Sequence, residues 1–215
     1  MSSKQRLMAA IHHQPADHVP CAPHLSPATI QRMPPAEWQA LLRQTGVTRS
    51  VAALSDVQIF GGQRLMDAMR TTRDGHASVA EIETPLGLLR ERRVETPEAS
   101  WQAEHLYKTP ADVDRLLSIP YEPPRFAVQS YRQWVETIGD EGLVALSMPS
   151  AFRFCLDFFG SGALYLMIAD DPDLVEEVVA TMNERLAWYI EACCRMGVDS
   201  YWMGGSEHCG PGVVS

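Results

Sequence analysis

A chain of 215 residues with 46% hydrophobic content can bury a sizeable core, which excludes an intrinsically disordered linker. Its 27 acidic residues against 18 basic ones give a formal net charge of -9 with no long basic run, which speaks against nucleic acid and anionic membrane surfaces as partners. No apolar stretch is long enough to span a bilayer, the opening MSSKQRLMAAIHHQ lacks the apolar core of a secretory signal, and the five cysteines form no repeated framework, so reduced thiols and a cytoplasmic location are expected.

Ser3 is placed to cap a short helix with Leu7, Met8 and Ile11 on one face, and Pro15 and Pro20 mark its end. Val19 to Leu25 reads as a first strand. Pro34 to Thr45 carries Trp38, Leu41 and Leu42 at helical spacing, with Gly46 as its stop. Ser50 to Phe60 is apolar and β-compatible up to Gly61-Gly62, a second strand. Ala77 to Ile82 and Gly87 to Val94 flank the turn Thr84-Pro85-Leu86-Gly87, which predicts an inserted β-hairpin over 77–94.

Thr109-Pro110-Ala111-Asp112 opens a short helix through Leu117, and Phe126 to Ile138 reads as another. Leu143 to Met148 is an apolar run of the length of a buried parallel strand, followed by a helical Phe154 to Ile168. Asp171 as N-cap, Pro172 as first residue and Gly197 as stop bound a long helix, along which Val175, Val178, Met182, Leu186 and Cys193 form one apolar stripe. Val198 to Met203 then reads as a strand leading into the glycine-rich Gly204 to Gly212. Strands alternating with helices point to an α/β chain of the parallel-barrel kind.

Several segments, taken in order, resemble the uroporphyrinogen decarboxylase superfamily, which also contains methyltransferases that move methyl groups between corrinoids and thiols. They are Lys4 to Ile11 with Pro15-Ala16-Asp17-His18-Val19-Pro20, then Thr84 to Gly87, Tyr107 to Val113, and Asp170 to Val175 with Gly197-Val198-Asp199. The resemblance implies a (β/α)8 TIM barrel with its active site at the C-terminal strand ends. About four barrel strands can be counted, so the chain is expected to be a single domain forming the N-terminal part of such a barrel, with the hairpin inserted.

The resemblance also implies departures from the haem-pathway enzyme. The arginine-rich stretch that grips the porphyrinogen's acidic arms is replaced by Pro23 to Ile30, and a family tyrosine before Gly160 is absent. A divergent carboxy-lyase acting on a small carboxylated or methylated substrate is therefore expected. The alternatives are a zinc-dependent corrinoid methyltransferase, with a corrinoid protein as partner and zinc ligands beyond Ser215, and a non-catalytic fragment or binding component. Exposed edges on a partial barrel would favour a homodimer.

Within Ser55-Asp56-Val57-Gln58, Asp56 matches the family aspartate after the second strand, with an ordinary strand-end carboxylate as the alternative. Glu207 and His208, in the loop after the last strand, are candidates for acid/base work, the alternative being a solvated pair. His24, after the first strand, and Arg153, after the third, are candidates for substrate binding. Backbone hydrogen bonding explains His24 as well, and a helix pair with Asp157 explains Arg153 as well. His208 and Cys209 are adjacent and so point to opposite faces of an extended segment, which leaves Cys209 a weak metal ligand.

Overall fold

The computed structural model describes residues 1–23, 32–96 and 99–204. These residues form a mixed α/β structure with a parallel three-stranded sheet and an antiparallel four-stranded sheet. The described residues divide into two compact units, the first within Met1–Ala53, Ala127–Met148 and Cys193–Met203, the second within Leu54–Phe126 and Pro149–Ala192.

The first unit opens on α1 (Ser3–Ile11). Ser2, one residue earlier than expected, is its cap: the Ser2 hydroxyl accepts from the Gln5 N–H at 3.2 Å, and the Gln5 side chain accepts from the Ser2 N–H at 2.9 Å. Only Ala9 of this helix is buried, so Met8 and Ile11 do not form the expected core stripe. Next come α2 (Pro35–Thr45) and β1 (Val47–Val51), joined by Gly46 at φ 69°, where a Cβ would lie 2.7 Å from that of Ser3.

β1 pairs in parallel with β6 (Gly142–Met148), and β6 with β7 (Tyr201–Met203), in the order β1-β6-β7. The sheet face carrying Val47, Arg49, Val144 and Leu146 lies under α5 (Gln129–Ile138): the Arg49 guanidinium sits 4.1 Å from the Trp134 ring centre, over its face. A parallel sheet needs such a helical cover, and Val47 and Leu146 are almost fully buried beneath it.

Two expected strands are corrected here. Residues 19–23 are not a strand, and the parallel sheet starts at Val47 instead. Of Ser50 to Phe60 only the first two residues are strand; from Ser55 the chain turns helical. The cause is a second capping box, in which the Ser55 hydroxyl accepts from the Gln58 N–H and the Gln58 side chain accepts from the Ser55 N–H. Asp56 therefore occupies the first turn of a helix, not a strand end.

That helix, α3 (Asp56–Ala68), begins the second unit and is kinked at Gly62 (φ 70°, ψ -176°). The kink takes backbone groups out of the helical ladder, and each finds another partner: the Ile59 carbonyl accepts from the Tyr121 hydroxyl at 3.0 Å, the Phe60 carbonyl accepts from the Arg185 guanidinium, and the Gln63 N–H donates to the Glu122 carbonyl at 2.7 Å. Gly61-Gly62 thus bends a helix rather than closing a strand.

The expected hairpin is present as β3 (Ala77–Thr84) and β4 (Gly87–Glu95), but it is the centre of a larger sheet, β2-β3-β4-β5, flanked by β2 (Met69–Asp74) and β5 (Ser100–Glu104). Ala80, Ile82 and Leu89 bury one face of it. On the other face Arg70, Glu81 and Arg90 stand side by side in register, a ladder of alternating charge suited to solvent.

After α4 (Ala111–Leu117), the expected single helix Phe154 to Ile168 is two: α6 (Ala151–Phe159) and α7 (Ser161–Asp170), bent by 106° at Gly160. Phe60 and Phe154 meet at 4.9 Å between ring centres, and Phe158 and Phe159 at 4.9 Å, forming the aromatic part of this unit's core. The long helix α8 (Pro172–Arg195) matches expectation, with Asp171 Oδ1 accepting from the Leu174 N–H at 3.3 Å. Among the described residues no single helix is long and apolar enough to cross a membrane.

Candidate functional site

Two sequence candidates come together in the second unit. Asp56 starts α3, and Arg153 lies in the first turn of α6, which Ser150 caps by accepting from the Arg153 N–H at 3.1 Å. In chain order each helix follows a strand of the parallel sheet, β1 and β6. One turn along α6, Asp157 meets Arg153 with Nη2 to Oδ1 at 3.5 Å. The pair is solvent-facing, with 45% and 39% of the two side chains exposed, so its own contribution to stability is small.

The electrostatics single out Asp56. Burial raises its pKa above the usual carboxylate range, the Asp157 charge raises it further, and Arg153 and the Asp56 N–H lower it only in part. Asp157 pairs with the Arg153 guanidinium, and Asp56 feels the charge of both. If Asp56 keeps a proton, the remaining Arg153–Asp157 pair is neutral, which is the arrangement that burial favours. A half-buried carboxyl whose pKa is raised is better suited to giving up a proton to a bound molecule than an ordinary surface carboxylate, and the nearby guanidinium can receive a carboxylate.

The first unit holds a cavity of about 620 Å³. It is bounded by α1, by α5 and by the chain entering β6 and β7, so it opens at the N-terminal ends of those strands. Across its floor the Tyr131 hydroxyl donates to Asp199 Oδ1 at 2.7 Å. Burial, then the hydrogen bond to Asp199 and its charge, push the Tyr131 phenol up to about 12. Met8 and Ile11 of α1 line this cavity, which explains why 36% and 59% of them stays exposed.

Neither models of known protein families, nor curated proteins, nor solved structures match the chain.

His24, Glu207, His208 and Cys209 lie outside the described residues. Among the described residues no three His, Cys, Asp or Glu side chains are grouped to hold one metal ion. Cys155 is buried, and burial lifts its thiol to about 12, so it is an inert core thiol. Sequence reasoning had not placed Asp157 beside Asp56, nor Tyr131 and Asp199 beside a cavity. The capping boxes Ser2–Gln5 and Ser55–Gln58 are local signals that the sequence carries; the influence of Asp157 on Asp56 joins residues far apart in the chain and leaves no local trace.

Proposed function

We propose that this chain is part of a (β/α)8-barrel enzyme of the uroporphyrinogen decarboxylase superfamily, acting as a divergent carboxy-lyase on a small carboxylated substrate. The observation that carries the reading is the grouping of Asp56 with Arg153 and Asp157 at the starts of two helices that follow parallel strands. Catalytic groups of such barrels come from the segments after the C-terminal strand ends. The parallel order β1-β6-β7 and the insertion around Thr84 to Gly87 also support it.

In the proposed reaction Arg153 receives a carboxylate of the substrate. The bond from carbon to the departing carboxylate breaks, carbon dioxide leaves, and the electron pair stays on carbon. Asp56 gives its proton to that carbon, forming the new C–H bond, and recovers a proton from water. Uroporphyrinogen itself is a poor candidate, because Pro23 to Ile30 carries no arginine to hold its acidic arms.

The test is carbon dioxide release by the purified chain from a panel of aromatic and aliphatic carboxylic acids, with uroporphyrinogen included. Release that falls at least about hundredfold in Asp56→Asn supports the reading. Zinc-dependent transfer of a methyl group to a thiol, with no carbon dioxide from any acid, would replace it with the methyltransferase reading.

A further inference from the structure

The cavity of the first unit is a candidate site of its own. Its opening lies at the N-terminal ends of β6 and β7, among Gly142, Leu143 and Asp199 to Tyr201, whereas barrel catalysis belongs to the opposite strand ends. At about 620 Å³ it falls within the range of small-molecule pockets, roughly 300–1,000 Å³, and is too small for a folded partner.

Its walls differ in chemistry. Met8, Ile11, Val135 and Leu143 give it an apolar surface, and the first two remain open to solvent despite their size. An apolar surface of this kind gains free energy when an apolar group covers it. Along α1 the polar groups facing the cavity are basic, Lys4 and His12. Facing it from α5 and the chain before β7 are two carboxylates, Glu136 and Asp199, the latter held by the Tyr131 hydroxyl. Arg132 also borders the cavity, but its Nη2 is engaged at 2.9 Å by the carbonyl of Met196. Among the described residues Lys4 and Glu136 have no ion-pair partner.

A lone anion would meet the two carboxylates, and a lone cation would meet Lys4. A molecule carrying both charges on an apolar body satisfies every wall at once. We propose that this cavity binds a small amphipathic zwitterion, a free amino acid with a large apolar side chain: its carboxylate toward Lys4, its ammonium toward Asp199 and Glu136, its side chain on Met8, Ile11, Val135 and Leu143. The site is separate in chemistry and residues from Asp56, so its occupation does not depend on the reaction proposed there.

The experiment is isothermal titration of the purified chain with L-phenylalanine, 3-phenylpropanoate and phenethylamine, which share a phenyl body and differ only in charge. L-phenylalanine is expected to bind at least about tenfold more tightly than either single-charge analogue, the ratio one charge-assisted hydrogen bond supplies. Lys4→Gln should weaken L-phenylalanine and 3-phenylpropanoate while leaving phenethylamine no weaker. Ile11→Trp, at an exposed position on the apolar wall, sets an indole where the ligand's side chain would lie and should weaken all three compounds with the circular dichroism spectrum intact. Equal affinity for the three compounds, no heat with any of them, or L-phenylalanine binding unchanged in Ile11→Trp overturns the proposal.

Discussion

The Arg185 guanidinium donates to the carbonyl oxygen of Phe60, the carbonyl released when Gly62 kinks α3. The same guanidinium lies 4.6 Å from the Tyr121 ring centre, and Tyr121 in turn donates to the Ile59 carbonyl. A buried arginine is costly unless its donors are used. Here it replaces the helical partner that the kink removes, and it sets the path of the chain just after Asp56.

Arg185→Met keeps the apolar stem but leaves the Phe60 carbonyl without its donor. Urea unfolding is expected to show a loss of about 2 kcal/mol, since a charge-assisted hydrogen bond to a buried acceptor is removed. A change within about 0.5 kcal/mol, the range of ordinary surface substitutions, would mean that water or a neighbour takes over the carbonyl.

Asp112 starts from the opposite position to Asp56. Burial by itself raises its pKa, but the N–H groups of Lys108 and Thr109, each at 2.8 Å, and the Arg115 guanidinium together hold it below the usual range. A carboxylate depressed on folding stabilises the folded state above its unfolded pKa, about 3.9, and loses that contribution as pH falls through the folded value. Asp112→Asn is therefore expected to cost about 1–3 kcal/mol at pH 7, with the gap to the parent chain closing below pH ~4. Denaturation midpoints at pH 7 and pH 3 measure it; a gap independent of pH contradicts the assignment.

Much of this was legible in the chain. Asp171, Pro172 and Gly197 bounded α8 because caps are local chemistry, and Leu143 to Met148 announced β6 because a parallel strand buries a continuous apolar run. Val57, Ile59 and Phe60 misled because a short apolar run has no period of its own, and the capping box at Ser55 settles what the run leaves open. Met69 to Asp74 gave no strand signal at all: all but its first residue are exposed, and it is a strand only because β3 pairs with it. Arg153 was legible as a partner of Asp157, four residues on, whereas the approach of Asp56 to both depends on how α3 and α6 pack.

Burial, then the hydrogen bond to Asp199, push the Tyr131 phenol up to about 12 from an unfolded value of about 10. The protonated phenol's contribution to stability is thus present below pH ~10 and is lost as pH rises through the folded value. In Tyr131→Phe the tyrosinate absorbance should lack a step near 12, and stability at pH 7 should fall by about 1 kcal/mol. Loss of a step near pH ~10 in place of the one near 12 would show that the phenol does not face Asp199.

For Asp56 the sign reverses. Its pKa is raised on folding, so its contribution is present below the unfolded value and lost as pH climbs through the folded one. Asp56→Asn is accordingly expected to leave stability at pH 7 unchanged or raise it by up to about 1 kcal/mol, the pattern of a residue kept for chemistry at the expense of stability. A loss above about 2 kcal/mol in thermal or urea unfolding would make it a structural residue instead.

The most direct measurement is the pH profile of carbon dioxide release by the parent chain and by Asp56→Asn. With Asp56 as proton donor, the rate of the parent chain declines as pH rises through the raised pKa of this carboxyl, and the variant shows a low rate without that limb. The same profile in both proteins, or a rate untouched by the substitution, would contradict a catalytic role for Asp56 and with it the decarboxylase reading.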